Sequence, residues 1–214
     1  MLGVNCARYK MFKMLVRVMP ILNLGKSLRT VFLATLLAFS GQSPVTAGEL
    51  KFSEGNELVF FQGPILLDEI DDILSQLDEK KPKLILLDSI GGNVLGALRF
   101  AKYVRKNQMN TWIAHKQTCA SACALVFLAG TQRFSEGNLI VHQYLPPAEQ
   151  GNEKIARDAA WISVQKIIGE TITLLNSFGT PRFVFERIFS SPNLYAFTEG
   201  EMAELNTVIS LDEM

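Results

Sequence analysis

The chain predicts an α/β fold of repeated β-α units with a largely parallel sheet and one long C-terminal helix. Three observations carry this. Short apolar runs rich in β-branched and aromatic residues recur at Glu57 to Gly63, Lys83 to Leu87 and Thr111 to Ala114. Segments with apolar residues at helical spacing lie between them, and strand-helix-strand order implies right-handed crossovers and parallel pairing. Beyond the breakers Pro146 and Pro147, the stretch from Asn152 to Phe178 keeps a helical pattern with no proline.

Taken in order, Glu57 to Gly63 is bounded by turn residues and reads as a buried strand. Leu67 to Leu77 sets Leu67, Ile70, Ile73, Leu74 and Leu77 at helical spacing with Asp and Glu between them, an amphipathic helix with an acidic first turn. The second strand, Lys83 to Leu87, ends in Asp88-Ser89-Ile90-Gly91-Gly92, and the glycine pair opens a helix from Val94 to Lys106. Thr111 to Ala114 is the third strand. It leads into Thr118 to Gly130, where small residues surround Ser121 and the apolar Ala120 to Ala129 segment reads as a buried helix. Ser121 then stands where a strand turns into a helix. Unpaired N–H groups and the positive end of the helix dipole favour developing negative charge there.

Arg133, Ser135, Glu136 and Gly137 read as a polar turn, after which Asn138 to His142 re-enters the core. The long helix places Ile155, Ala159, Ile162, Ile168, Ile172 and Leu175 on one broad face, with Trp161, Val164 and Leu174 around it. That breadth exceeds the stripe of a surface helix and predicts contact with a second subunit, hence a homo-oligomer. Thr180-Pro181 caps and starts a helix to Phe189. Ser190 to Asn193 is a loop, Leu194 to Phe197 is strand-like, Glu201 to Leu205 is a short helix, and Val208-Ile209 comes after it.

The 214 residues suit one domain behind a removable leader. Residues 1–47 hold six of the 21 basic residues and none of the 21 acidic ones, so the body from residue 48 to 214 is acidic by six charges. With no basic stripe or basic-aromatic patch, nucleic acid is not the expected partner. Lys26 and Arg29 precede an apolar run from Thr30 to Gly41, and Ser43-Pro-Val-Thr-Ala47 supplies small residues before a cut. These are the parts of a secretory signal peptide, and the run falls short of the roughly 20 residues that span a bilayer. A periplasmic or secreted protein is expected, an uncleaved inner-membrane anchor being the alternative. Removing the leader removes Cys6 and leaves Cys119 and Cys123 in an oxidising compartment. They stand either as a disulfide or as two small buried residues. A zinc set with His115 or His142 matches no usual ligand spacing, and neither metal nor cofactor is called for.

His115 and His142 are the only histidines, and each ends a strand. Residue order alone does not choose between them as a base for Ser121, because such groups are recognised by geometry. Gly91-Gly92, between a buried strand and a helix, can aim N–H groups at an anion; an ordinary tight turn is the plainer reading.

Leu84 to Gly92, Ala120-Ser121-Ala122 before an apolar helix ending in Ala129-Gly130, and Val141-His142-Gln143 together resemble the proteolytic subunit of the Clp protease. The resemblance extends to the ClpP/crotonase superfamily, and within it to exported Clp-like proteins of bacteria. It covers roughly residues 57 to 210 and includes the spacings from Gly92 to Ser121 and from Ser121 to His142. It implies a ClpP/crotonase-like fold with Ser121 as nucleophile, His142 as general base and the N–H groups of Gly92 and Ala122 as oxyanion hole. His115 is then structural or substrate-side. Two positions depart from the family: Ile90 stands where Clp-type members have proline, and no Asp or Glu lies between Glu186 and Glu199, where the acidic third residue belongs. Asn193 or Ser191 is named as the orienter instead. An Asn or Ser holds an imidazole tautomer by hydrogen bonding but brings no charge to an imidazolium. The expected function is an exported serine peptidase acting on peptides or proteins. A catalytically weak or inactive scaffold on the same fold is the alternative, and a crotonase-type acyl-CoA reaction fits an exported protein poorly.

Overall fold

Alternating burial along short runs of Leu, Ile, Val and Phe builds the sheets. In the computed structural model, which describes residues 48–144, 154–190 and 192–207 (backbone alone over 154–159), five strands form one sheet and three form another. The leader, Ser191 and Val208-Ile209 lie outside the described residues.

The main sheet runs in the order β1 (Glu49–Phe52), β2 (Leu58–Gln62), β3 (Leu84–Asp88), β4 (Asn110–Ile113) and β6 (Arg133–Ser135). Only the β1–β2 pair is antiparallel. The smaller sheet is β5 (Thr118–Ala120), β7 (Asn138–Val141) and β8 (Tyr195–Ala196), with β5 and β7 parallel and β8 antiparallel to β7. Six helices accompany them among the described residues: α1 (Ile70–Lys80), α2 (Val94–Lys106), α3 (Cys123–Leu128), α4 (Lys154–Ser177), α5 (Arg182–Phe189) and α6 (Glu199–Leu205). The protein is thus mixed α/β with a largely parallel main sheet.

Local chemistry sets the helix ends. In α1, Ile70, Ile73 and Leu77 face inward, Asp71 and Asp72 occupy the first turn, and Lys81 closes the helix in the left-handed conformation with its N–H donating to the Leu77 carbonyl. Asn93 caps α2, its Oδ1 accepting from the Gly96 N–H at 3.0 Å. All six residues of α3 are buried, so this short helix is a core element, held by packing rather than by propensity. The rings of Phe61 on β2 and Phe100 on α2 meet edge to face at 5.3 Å.

Several elements differ from the sequence reading. β1 is not among the strands expected. Its Leu50 and Phe52 alternate with charged Glu49 and Lys51, a period-two pattern too short to stand out beside the leader. The turn expected at Arg133 to Gly137 is instead strand β6 followed by a bend, because the Arg133 side chain is spent internally. Its guanidinium is buried and donates to the carbonyls of Leu205, Gly130 and Leu128, at or just beyond the C-terminal ends of α6 and α3. One reading is untouched by these differences: in α4 the inward face is Val164, Thr171 and Leu175, Trp161 and Ile162 of the broad apolar surface are 54% and 67% exposed, and the side chains of Ile155 and Ala159 lie outside the described residues.

β8 is anchored by one carboxylate. Glu201 on α6 accepts from the Tyr195 hydroxyl, from Arg187 Nε at 2.8 Å and from the N–H and hydroxyl of Thr198, which caps α6 in return. Burial pushes its pKa up, but these donors outweigh burial and bring it from 4.5 to about 2. A carboxyl lowered on folding contributes stability that is complete above its unfolded value and is lost as pH falls through its folded one. Melting temperature measured against pH should therefore fall between pH 4.5 and 2, and Glu201→Gln should lose stability at neutral pH and flatten that fall. An unchanged acid limb in Glu201→Gln would exclude this anchor.

Candidate active site

Three chain segments reach the same place because their strands run the same way. Ser89, just beyond β3, bridges in parallel to Cys119 of β5, and β5 pairs in parallel with β7 through Ala120 and Ile140. The C-terminal ends of β3, β5 and β7 therefore lie together, and the chain leaves them through Gly91-Gly92, Ser121 and His142 respectively. In open α/β sheets the carboxyl ends of strands are where ligands bind.

Ser121 follows β5 and precedes α3 with φ of +55°, a left-handed conformation rare for a residue with a side chain. Its N–H donates to the Ile140 carbonyl at 2.8 Å, and its own carbonyl accepts from the Ala124 N–H at 3.0 Å. Such a conformation costs on the order of 1–3 kcal/mol and persists where the surroundings fix it. A strained strand-to-helix turn is also where G-x-S-x-G hydrolases carry their nucleophilic serine, in a tight turn called an elbow; here Cys119 and Cys123 stand in the places of the two glycines. Ala120 and Ala122 on either side of Ser121 add only a methyl group each beside it.

The Ser121 hydroxyl and His142 Nε2 are 2.8 Å apart. His142 Nδ1 is 2.8 Å from the backbone carbonyl of Gln143. A carbonyl only accepts, so Nδ1 carries a hydrogen; in the neutral imidazole Nε2 then presents its lone pair, to which the Ser121 O–H donates. This is the tautomer in which histidine acts as a base towards serine.

The glycine pair lies against the elbow. Ile65 donates to the Gly91 carbonyl and accepts from the Asn93 N–H, a parallel bridge centred on Gly92. Carbonyl and N–H of one trans peptide point opposite ways, so the Gly92 N–H is directed away from Ile65. A Cβ on Gly91 would stand 2.8 Å from the Ala122 nitrogen and 2.9 Å from Ser121 Cβ, and one on Gly92 would overlap the Ile65 carbonyl. Both glycines have positive φ, +87° and +142°. Ala122, at the start of α3, offers an N–H of the kind that helix ends leave unpaired.

Gly92, Ser121 and His142 line a cleft of about 270 Å³ with Val94, Tyr144, Val164 and Ile167. The walls are largely apolar and come from α2 and α4. Tyr144 meets the Phe189 ring edge to face, and its hydroxyl stands 3.1 Å from Thr171 Oγ1. Burial raises the Tyr144 pKa to about 12, against the opposing pull of the Thr171 bond, so it is a neutral phenol.

Ser121, His142, Gly92 and Ala122 are thus gathered in one place. Cys119, the middle residue of β5, and Cys123, the first residue of α3, are joined by a disulfide with Cα atoms 5.2 Å apart. Both sulfurs are committed to that bond, which removes a zinc set with either histidine, and no group of three His, Cys, Asp or Glu suited to a metal occurs among the described residues. His115 is exposed in the turn before β5, whereas Ser121 follows that strand. Asn193 is exposed in the loop ahead of β8, and Ser191 lies outside the described residues. The group on the far side of the imidazole is the Gln143 carbonyl. The sequence does not signal it, because a backbone acceptor has no residue signature. Tyr144, Val164 and Ile167 are likewise not signalled as cleft residues, since apolar side chains read as core. In comparison with known protein families and with curated proteins, the chain matches none.

Gly92→Ala should destabilise the protein by about 1–3 kcal/mol, because it combines positive φ with an overlap against fixed backbone. Urea unfolding measures it, and a midpoint equal to wild type would mean that the Ile65–Gly92 bridge is not formed.

Proposed function

We propose that this protein is an exported serine peptidase of the Clp-like class, with a ClpP/crotonase-like fold. The observation that carries the proposal is the 2.8 Å contact between the hydroxyl of a left-handed Ser121 and Nε2 of His142, inside a cleft. Ser121 Oγ attacks a peptide carbonyl while His142 Nε2 takes its proton. The tetrahedral oxyanion receives hydrogen bonds from Gly92 and Ala122 N–H, His142 returns the proton to the leaving amine, and water resolves the acyl-enzyme by the same steps. The Gln143 carbonyl keeps Nδ1 protonated throughout. In triads where the carboxylate becomes an amide, the wrong tautomer costs about 10⁴-fold in kcat; an obligate acceptor avoids that loss. Being uncharged, it stabilises the imidazolium less than a carboxylate does, so slow turnover is expected.

The leader pattern supports release to the periplasm or beyond, and among the described residues no helix is long and apolar enough to cross a membrane. Exposed Trp161 and Ile162 on α4 support assembly with further copies of the chain. Peptides or proteins are the proposed substrates.

A fluorophosphonate should label the wild-type protein at Ser121 and leave Ser121→Ala unlabelled, and His142→Ala should slow labelling by about 10²–10⁴-fold. Labelling that persists in Ser121→Ala would exclude Ser121 as the nucleophile, and a wild type that does not react would instead support a non-catalytic scaffold.

A further inference from the structure

We infer that the Cys119–Cys123 disulfide is a clamp on the nucleophile, with both cysteines acting as positioning residues for Ser121; this rests on the proposed role of Ser121 as nucleophile. The bond closes a ring around Cys119-Ala120-Ser121-Ala122-Cys123, a sequence separation of four, with Ser121 at its midpoint. A disulfide restricts the unfolded chain with the logarithm of the loop that it closes, so a ring this short stabilises the whole fold less than a long loop would. What it can fix is local. One cysteine is the centre of β5 and the other the first residue of α3, so the bond ties the strand leaving the sheet to the helix entering the core. The only residues between them are those of the elbow.

The elbow needs such a restraint. Ser121 has no glycine's freedom, yet its φ is +55°. Two backbone hydrogen bonds, to Ile140 and from Ala124, hold it on either side. Both cysteines are wholly buried, 0% exposed, among close-packed neighbours. Cleaving the bond replaces a covalent contact by a longer van der Waals one in a space with no slack. The resulting displacement acts two residues before and two residues after Ser121. The Ser121 hydroxyl and the Ala122 N–H move with it, while His142, just past β7, and Gly92, beyond β3, belong to other segments and stay. The clamp therefore sets the relation between nucleophile and base rather than the stability of either sheet.

The test compares wild type with Cys119→Ala/Cys123→Ala, and with wild-type protein unfolded in denaturant, reduced by a water-soluble phosphine and refolded with the reductant present, which keeps every side chain and serves where the double variant does not fold. Three quantities are read: the rate constant and apparent binding constant for fluorophosphonate labelling, the melting temperature, and the crystal structure around Ser121. Loss of the bond should lower the labelling rate constant on the order of 10²-fold, the scale of a 1 Å misplacement. Apparent binding should stay close to wild type at a temperature where the unbridged protein is fully folded, and Ser121 should leave the left-handed region and its contact with His142. A cross-link acting only on global stability would lower the melting temperature and leave the rate constant of the folded protein unchanged, which would overturn the clamp. If the wild type does not react, the proposed activity fails by itself, and the crystal structure still decides the clamp: an unchanged Ser121 φ and an intact Ser121–His142 contact in the unbridged protein would overturn it.

Discussion

Parallel pairing of β5 with β7, and of Ser89 with Cys119, is the constraint on which the site depends. Strands that run the same way end on the same side, so the residues just beyond them meet without any long-range search. The Ala120↔Ile140 register decides the rest. It allows the Ser121 N–H to reach the Ile140 carbonyl, which turns the chain towards α3 and leaves Ser121 Oγ facing the His142 imidazole. A register shift of one residue would send alternate side chains to the opposite face and separate serine from histidine, even though every strand still formed.

The polar network is economical in charge. Around the candidate dyad the observed partners are backbone groups, the Gln143 carbonyl on His142 and the Ile140 carbonyl on the Ser121 N–H, and the N–H groups of Gly92 and Ala122 are the ones proposed for an oxyanion. Buried Arg133 has the same pattern, its cation shared among main-chain carbonyls at helix ends. The well-satisfied carboxylate, Glu201, is used instead to hold Tyr195 and Thr198 and so the strand beside His142. In the proposed mechanism a backbone acceptor keeps the proton on Nδ1 but supplies no charge to the imidazolium, so a lower rate than that of a full triad is expected.

The parts of this structure legible in the sequence are those written in side-chain chemistry. Buried strands are announced by apolar runs such as Leu84 to Leu87, α1 by its Ile70-Ile73-Leu77 spacing, and the elbow by the small residues around Ser121. Gly91-Gly92 is a hint that only the positive φ values and the crowding against Ser121 turn into a requirement. Backbone geometry is not legible. The left-handed φ of Ser121, the carbonyl on His142 and the conversion of a polar stretch at Arg133 into β6 all arise from tertiary contacts that leave no residue pattern. The burial of α4 illustrates the same limit: an apolar face of the breadth read from Ile155 to Leu175 does not say which stripe packs inward, and that stripe contains Val164 and Leu175 rather than Ile162.

The central claim, that these backbone and side-chain groups form one hydrolytic centre, is tested most directly by a crystal structure of the protein after reaction with a fluorophosphonate. The phosphorus should be bonded to Ser121 Oγ, and the phosphonyl oxygen should lie 2.7–3.1 Å, roughly hydrogen-bond distance, from the Gly92 and Ala122 nitrogens. His142 should still face the adduct with Nδ1 on the Gln143 carbonyl. A phosphonyl oxygen directed into solvent, or an adduct on any other residue, would contradict it.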